Sequence, residues 1–199
     1  MLTNFDLSLL MGRYIKNSIS FMEQKGYILP TLFVLNRGKP IDIDISHEHI
    51  LDITDSEDQG DFVGVQKDIY ESAVAFRLSM NYRDTFLSAV ANKIAREYQP
   101  DAIGTLSACM MRQYTPEEFR DVKKGSVQED PKAARILYAS YYLKEDPKAY
   151  YMLTPYIMEE VEELEFDRDK NFNVHVIPET WKVSQKNDGV IQILPNPFK

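Results

Sequence analysis

The N-terminal part of the chain carries apolar residues at the spacing of one helix face. They are Leu7, Leu10, Met11, Tyr14, Ile15, Ile19 and Met22. Thr3 or Asn4 can cap a helix through its side-chain oxygen, and glycine, here Gly26, is common just beyond a helix end. The pattern therefore predicts a helix from about Phe5 to Lys25.

A second helical stripe lies in the middle of the chain. Its apolar residues are spaced four apart: Phe86, Val90, Ile94 and Tyr98. Asn81, with Asp84 three residues later, resembles a cap, and Gln99-Pro100 ends the pattern because proline cannot continue a helix. The sequence predicts a helix that ends at Tyr98.

Alternating or continuous apolar runs predict strands between and after these helices. TLFVLN at 31–36 and PIDIDI at 40–45 predict a hairpin that turns near Gly38. AIGTLSACMM at 102–111 is small and apolar, which predicts a buried central strand. Residues 67–80 fit both a helical and a strand pattern; we favour the helix, and the choice stays open.

The pentapeptide EDPKA occurs twice, at residues 129–133 and 145–149. Asp before Pro disfavours continued helix, and proline suits the second position of a type I turn. Because an aromatic and aliphatic run follows each copy, we predict that the second copy forms a hairpin tip and the first leads into its opening strand. A turn centred on the second Asp-Pro bond would pair Tyr142 with Tyr151.

The order of predicted elements is helix, hairpin, helix and then several strands in succession, ending in a C-terminal hairpin. A doubly wound parallel fold would need strand and helix to alternate throughout. The order therefore predicts an α+β fold with a mainly antiparallel sheet and long helices packed on one face. At 199 residues and without a linker or long repeat, the chain suits a single globular domain, residues 1–199.

One acidic segment accounts for the formal net charge of −8. Between Lys39 and Lys67 the chain has eight acidic residues and no Lys or Arg, and the other 23 of its 31 acidic residues balance its 23 Lys and Arg residues. Phosphate binding usually requires a basic face, so we expect no nucleic-acid partner. The segment could instead imitate nucleic acid and bind a basic partner.

The chain shows no sign of membrane insertion or secretion. No apolar run approaches the ~18 to 20 residues needed to cross a bilayer, and the N-terminus lacks a secretion leader pattern. Its only cysteine, Cys109, fits a reducing compartment, so we expect a cytoplasmic protein with no membrane association. Cys109 lies in an apolar run with no base beside it, which predicts a core residue rather than a nucleophile.

Two histidines offer a candidate metal site in the acidic segment. On a strand, His47 and His49 would point the same way and could share a divalent metal ion with Asp52, as in a metal-dependent hydrolase. On a continuing strand three nearby acidic residues would face away from the histidines: Asp42, Asp44 and Glu48. A shared site therefore requires the strand to end by Ser46 or a ligand from elsewhere, such as His175. The simpler interpretation is that the histidines border an apolar face and the acids are solvated. No other cofactor is predicted, because glycine motifs for nucleotides are absent.

Tyrosines are concentrated between residues 138 and 156. Core and cross-strand packing is the simplest interpretation, but tyrosine also suits protein interfaces and, less in an acidic chain, base stacking. The candidate interface residues are Tyr138, Tyr142, Tyr151 and Tyr156. No catalytic residue is assigned. We expect a small accessory protein that binds another protein or itself through a tyrosine-rich sheet surface and the acidic loop.

Overall fold

The computed structural model describes ten segments of the chain. They are residues 4–36, 62–68, 73–78, 84–112, 115, 117–118, 130–161, 171–177, 182–184 and 196–198. The predicted strand at 41–45, the second strand of the predicted C-terminal hairpin and nearly all of the acidic segment lie outside them.

The described residues form two helices and eight strands, in this order: α1 (Asn4–Lys25), β1 (Thr31–Leu35), β2 (Phe62–Asp68), β3 (Ala73–Leu78), α2 (Asp84–Tyr98), β4 (Ala102–Met111), β5 (Ala134–Leu143), β6 (Asp146–Glu160), β7 (Phe172–Val176) and β8 (Lys182–Ser184). Both predicted helices are confirmed. Gly26 ends α1 with φ of 78° while its N–H donates to the Met22 carbonyl at 2.8 Å. Within the described residues, neither helix is long and apolar enough to cross a membrane.

The strands form one antiparallel sheet in the order β2-β3-β1-β4-β5-β6-β7, with β8 also paired to β6. The α+β class with a mainly antiparallel sheet is therefore confirmed. The predicted central strand at Ala102–Met111 is present, but only its first six residues, 102–107, are buried. β1 pairs along its whole length with β3 on one side and β4 on the other. Both edges of β1 therefore pair with strands that come later in the chain, rather than with the next segment in a local hairpin.

Residues 67–80 contain strand, so the helix that we favoured there is wrong. The end of β2 and all of β3 occupy this range as far as it is described. Phe76 and Leu78 are buried while Arg77 between them is exposed, which is the two-residue period of a strand. Pairing of β3 with β1 and β2 decides between two local patterns that the segment satisfies about equally.

The two helices pack on opposite faces of the sheet. Phe33 and Leu35 of β1 belong to the core cluster under α1, whereas Leu32 and Val34 belong to the cluster under α2. Successive strand residues point to opposite faces, so a strand that is apolar throughout needs a cover on both sides. The expectation that the helices cover one face is met only in part, because each helix covers a different face.

The second EDPKA copy lies at the β5–β6 hairpin as predicted, but the register differs. The turn residues are Lys144–Glu145, one step before the Asp-Pro bond, and the end of β5 is irregular. Tyr142 therefore pairs with Ala149, and Tyr151 pairs with Ser140 instead of Tyr142. Because this is a shift of two residues, every side chain keeps the face that the sequence predicted for it.

The aspartates of the two EDPKA copies make the same side-chain hydrogen bond to the backbone two residues later. Asp130 Oδ1 accepts a hydrogen bond from the backbone N–H of Lys132 at 2.9 Å, and Asp146 Oδ1 accepts one from that of Lys148 at 3.0 Å. Aspartate side chains commonly form such turns. The second carboxylate oxygens differ in their partners: that of Asp130 meets the guanidinium of Arg112, at the end of β4. The repeat is thus shared turn chemistry, adapted to two surroundings.

Candidate functional site

The predicted metal ligands His47, His49 and Asp52 lie outside the described residues, so this site stays a prediction. The described part of the chain holds no group of three or more His, Cys, Asp and Glu side chains that could bind a metal ion. The remaining histidine, His175, lies on β7 with an exposed side chain.

The four tyrosines that we singled out are all buried, with exposed fractions from 2% to 8%. Tyr138, Tyr142 and Tyr151 lie on the sheet face that α2 covers in part, and Ser140, between the first two along β5, pairs with Tyr151. Tyr156 belongs to the core under α1, on the opposite face. The structure therefore brings three of the four together and separates Tyr156 from them.

Hydroxyl groups connect β4 and β5 on the face of these three tyrosines. The hydroxyls of Thr105 and Ser140 are 2.9 Å apart, and Ser140 is hydrogen-bonded to the Tyr138 hydroxyl. Burial raises the pKa of Tyr138 to about 12, against the opposing effect of this hydrogen bond. The buried Ser107 hydroxyl, next along the same face of β4, has no hydrogen-bond partner in the described structure.

A second tyrosine pair, which sequence reasoning missed, lies under α1. Tyr141 and Tyr150 are cross-strand neighbours whose rings stack at 5.3 Å with an interplanar angle of 7°. The Tyr150 hydroxyl donates to Asp146 Oδ2 at 2.5 Å, which raises the pKa of Tyr150 to about 12 and lowers that of Asp146. Only the correct β5–β6 register would have revealed this pair, and the register predicted from the sequence pattern differs from the observed one by two residues. The pair ties the turn to the core.

Cys109 does not have the surroundings of a reactive thiol. Burial raises its pKa to about 11, so the thiol stays protonated near neutral pH. Cys109 is half-buried in β4, so it lies at the margin of the core rather than fully inside it as predicted.

The raised pKa values of Tyr138 and Tyr150 predict how the stability of the protein changes at alkaline pH. Tyr138 and Tyr150 have pKa values of about 12 in the folded chain, against 10.0 ordinarily, so the unfolded chain loses these protons first. The contribution of these two tyrosines to stability should therefore be constant below pH 10 and fall as pH rises from about 10 to 12. Ultraviolet titration of the folded protein should show tyrosines that ionise at higher pH than the others. In denaturant all tyrosines should ionise at about pH 10, and the folded Tyr150→Phe variant should have one late-ionising tyrosine fewer. Simultaneous ionisation of all tyrosines near pH 10 in the folded protein would contradict this.

The β6–β7 pair extends beyond the body of the sheet. Tyr156 is the last β6 residue paired with β5, and the following residues, 157–160, pair only with β7 among the described strands. One face of this extension packs against the α1 core through Met158 and Val174. The Asn171 N–H donates to the Glu23 carbonyl at 2.8 Å and fixes the start of β7 to α1.

The other face of the extension carries two exposed isoleucines. Ile157 is 50% exposed and Ile177 is 38% exposed, and the exposed His175 lies on the same face, paired with Ile157. The Ile177 N–H donates to the Pro155 carbonyl at 2.9 Å, which continues the same ladder. We name Pro155, Ile157, His175 and Ile177 the β6–β7 face. Sequence reasoning missed it, although apolar residues on both faces of the end of β6 are visible in the sequence.

Fold and surface together describe an α+β protein built on one antiparallel sheet, with a helix on each face and an open apolar face at one end. Comparison of the chain with protein-family models, with curated proteins and with solved structures finds no match.

Proposed function

We propose that the protein is an interaction protein that associates with a second copy of itself through the β6–β7 face and the outer edge of β7. The observation that carries this proposal is the exposure of Ile157 and Ile177, diagonal neighbours across the two strands, on a face that no described helix covers. Single exposed apolar residues are ordinary, whereas adjacent ones on a rigid strand pair are typical of protein contact surfaces. Each isoleucine would gain about 1 to 2 kcal/mol on burial.

The backbone of β7 supports pairing with another strand. The Val161 N–H donates to the Asn171 carbonyl at 3.1 Å, and the Ile177 N–H donates to the Pro155 carbonyl at 2.9 Å, so alternate β7 residues bond to β6. The residues between them direct their backbone groups to the outer edge: Phe172, Val174 and Val176. Among the described strands, β6 is the only neighbour of β7. An edge of this kind pairs with its symmetry mate about a two-fold axis.

The predicted interface tyrosines take a supporting part in this proposal. Tyr138, Tyr142 and Tyr151 are buried, so they stiffen the sheet from which β6 extends rather than contacting the partner. The acidic segment between Lys39 and Lys67 adds electrostatic repulsion between the two copies. Because two copies carry the same charge, added salt should strengthen self-association.

Equilibrium sedimentation tests this proposal. The wild-type protein should show a mass that rises with concentration toward a dimer, whereas Ile157→Glu/Ile177→Glu should raise the dimer Kd by at least about a hundredfold, since each change removes roughly tenfold. Leu9→Glu is the matched control, because Leu9 is 56% exposed but lies on α1. A wild-type protein that stays monomeric at every concentration would refute self-association. An equal effect of the Leu9 change would refute the β6–β7 face as its site.

A further inference from the structure

A cleft of about 310 Å³ lies between α1 and the sheet, on the opposite side of the sheet from the β6–β7 face. Its helix wall consists of Tyr14, Asn17, Ser18 and Phe21, which fall at i, i+3, i+4 and i+7 on one side of α1. A volume near 300 Å³ is the lower end of the range for small-molecule sites in proteins. The cleft therefore suits a small organic molecule rather than a peptide or a nucleotide.

The floor of the cleft is fixed by strand register. Thr31 of β1 pairs with Arg77 of β3 on one side and with Leu106 of β4 on the other, so these three side chains form one row. Leu106 and the neighbouring Ala75 are buried, whereas Arg77 is exposed. The row thus passes from an apolar interior to a cationic rim within three strands.

Rings and polar groups occupy different parts of the wall. Tyr14 stacks on the buried Phe33, with centroids 6.1 Å apart and planes 18° apart, so its ring is held in place before any ligand arrives. Phe21 supplies a second ring. The Thr31 hydroxyl donates to the Leu29 carbonyl at 3.0 Å and keeps its lone pairs available as acceptors.

We propose that this cleft binds a small amphipathic carboxylic acid, with its apolar body between the rings of Tyr14 and Phe21 and its carboxylate on Arg77. Arginine matches a carboxylate because its planar guanidinium can donate two parallel hydrogen bonds. Its five N–H donors suffice for a ligand and for a protein acceptor at the same time. An apolar body fits because Arg77 is the one charged residue among the described residues that line the cleft, and Ile28, Ala75 and Leu106 offer only apolar surface.

Two isosteric probes, phenylbutyrate and its neutral amide phenylbutyramide, separate the contributions of charge and shape. The wild-type chain should bind phenylbutyrate saturably and about tenfold more tightly than the amide, measured by protein-observed NMR titration. Arg77→Gln should remove that preference by weakening phenylbutyrate about tenfold while leaving the amide unchanged. Arg96→Gln is the matched control, because Arg96 is an exposed arginine of α2, on the other side of the sheet.

Filling the cleft provides a second readout. Ser18→Trp should abolish binding of both probes, and Asn17→Trp, a change at an exposed position, gives the same test if the first variant folds poorly. Binding that survives in a folded filled variant would overturn the proposal, as would no saturable binding by wild type or equal weakening of both probes in Arg77→Gln. The proposal is independent of self-association: Ile157→Glu/Ile177→Glu protein should bind phenylbutyrate like wild type.

Discussion

Gly104→Ala is expected to cost about 3 kcal/mol or more of unfolding free energy. A Cβ at this position of β4 would overlap the ring of Phe33 and the backbone carbonyl of Ser140 on the neighbouring strand. Phe33 is buried against Tyr14, and a paired strand cannot retreat without losing its ladder. Overpacking alone commonly costs about 1 to 3 kcal/mol, and here two rigid groups are involved.

Chemical denaturation of a matched glycine variant provides the control. Gly12→Ala places the same methyl group on α1, where nothing lies within 4 Å, and should stabilise the protein by about 0.5 to 1 kcal/mol because alanine favours helix. Adding Phe33→Leu to Gly104→Ala should recover part of the loss, since it removes ring atoms that the new methyl group meets. A Gly104→Ala protein as stable as wild type would show that β4 and β5 are not packed as described.

Asp130→Asn is expected to cost about 2 to 3 kcal/mol, against about 1 kcal/mol for the same change at Asp146. Both aspartates accept the same backbone hydrogen bond, but Asp130 also faces Arg112, and the side chains of Asp130 and Arg112 are 14% and 13% exposed. Removing the charge of Asp130 leaves the mostly buried guanidinium of Arg112 with one carboxylate fewer. Because both side chains are partly exposed, the loss of stability is smaller than for a fully buried ion pair. Asp146 loses only part of its hydrogen bonding with Tyr150 and Lys148.

Urea denaturation of the two variants at neutral pH makes this comparison directly, because both carry the same substitution in the same pentapeptide. An Arg112→Met variant completes a double-mutant cycle and should show coupling with Asp130 but none with Asp146. The low pKa of Asp146 means that its stabilisation is present above about pH 3.8 and is lost as pH falls through its lower folded value. Equal losses for the two variants would contradict the distinct role of Arg112.

The local sequence pattern predicted an element correctly where the spacing of its own apolar residues defines its type and its buried face. The stripe that ends at Gly26 and the apolar run Ala102–Met111 became α1 and β4 at nearly the predicted bounds. The side-chain hydrogen bonds of Asp130 and Asp146 also formed, although the second turn lies at Lys144–Glu145 rather than at the Asp-Pro bond. These features depend on neighbours within about four residues, which is the range that a sequence pattern contains.

Long-range pairing explains the features that pattern did not predict. Residues 67–80 could satisfy helix or strand, and β3 formed because β1 and β2 bond to its two edges. The irregular end of β5 moved the hairpin register by two residues and brought Tyr141 onto Tyr150. Neither result has a local signal, because loop geometry and strand partners are decided between distant residues.

The candidate sites also divide into features that the local sequence pattern predicts and features that depend on the tertiary fold. The sequence by itself determined two helices, a central strand, a tyrosine-rich hairpin and the side of the sheet on which each hairpin side chain lies, because these follow from the periods of helix and strand. Only the tertiary structure decided that the tyrosines are buried, that the two helices cover opposite faces, and that Ile157 and Ile177 remain exposed. Exposure depends on which distant element covers a face, and periodicity carries no information about that.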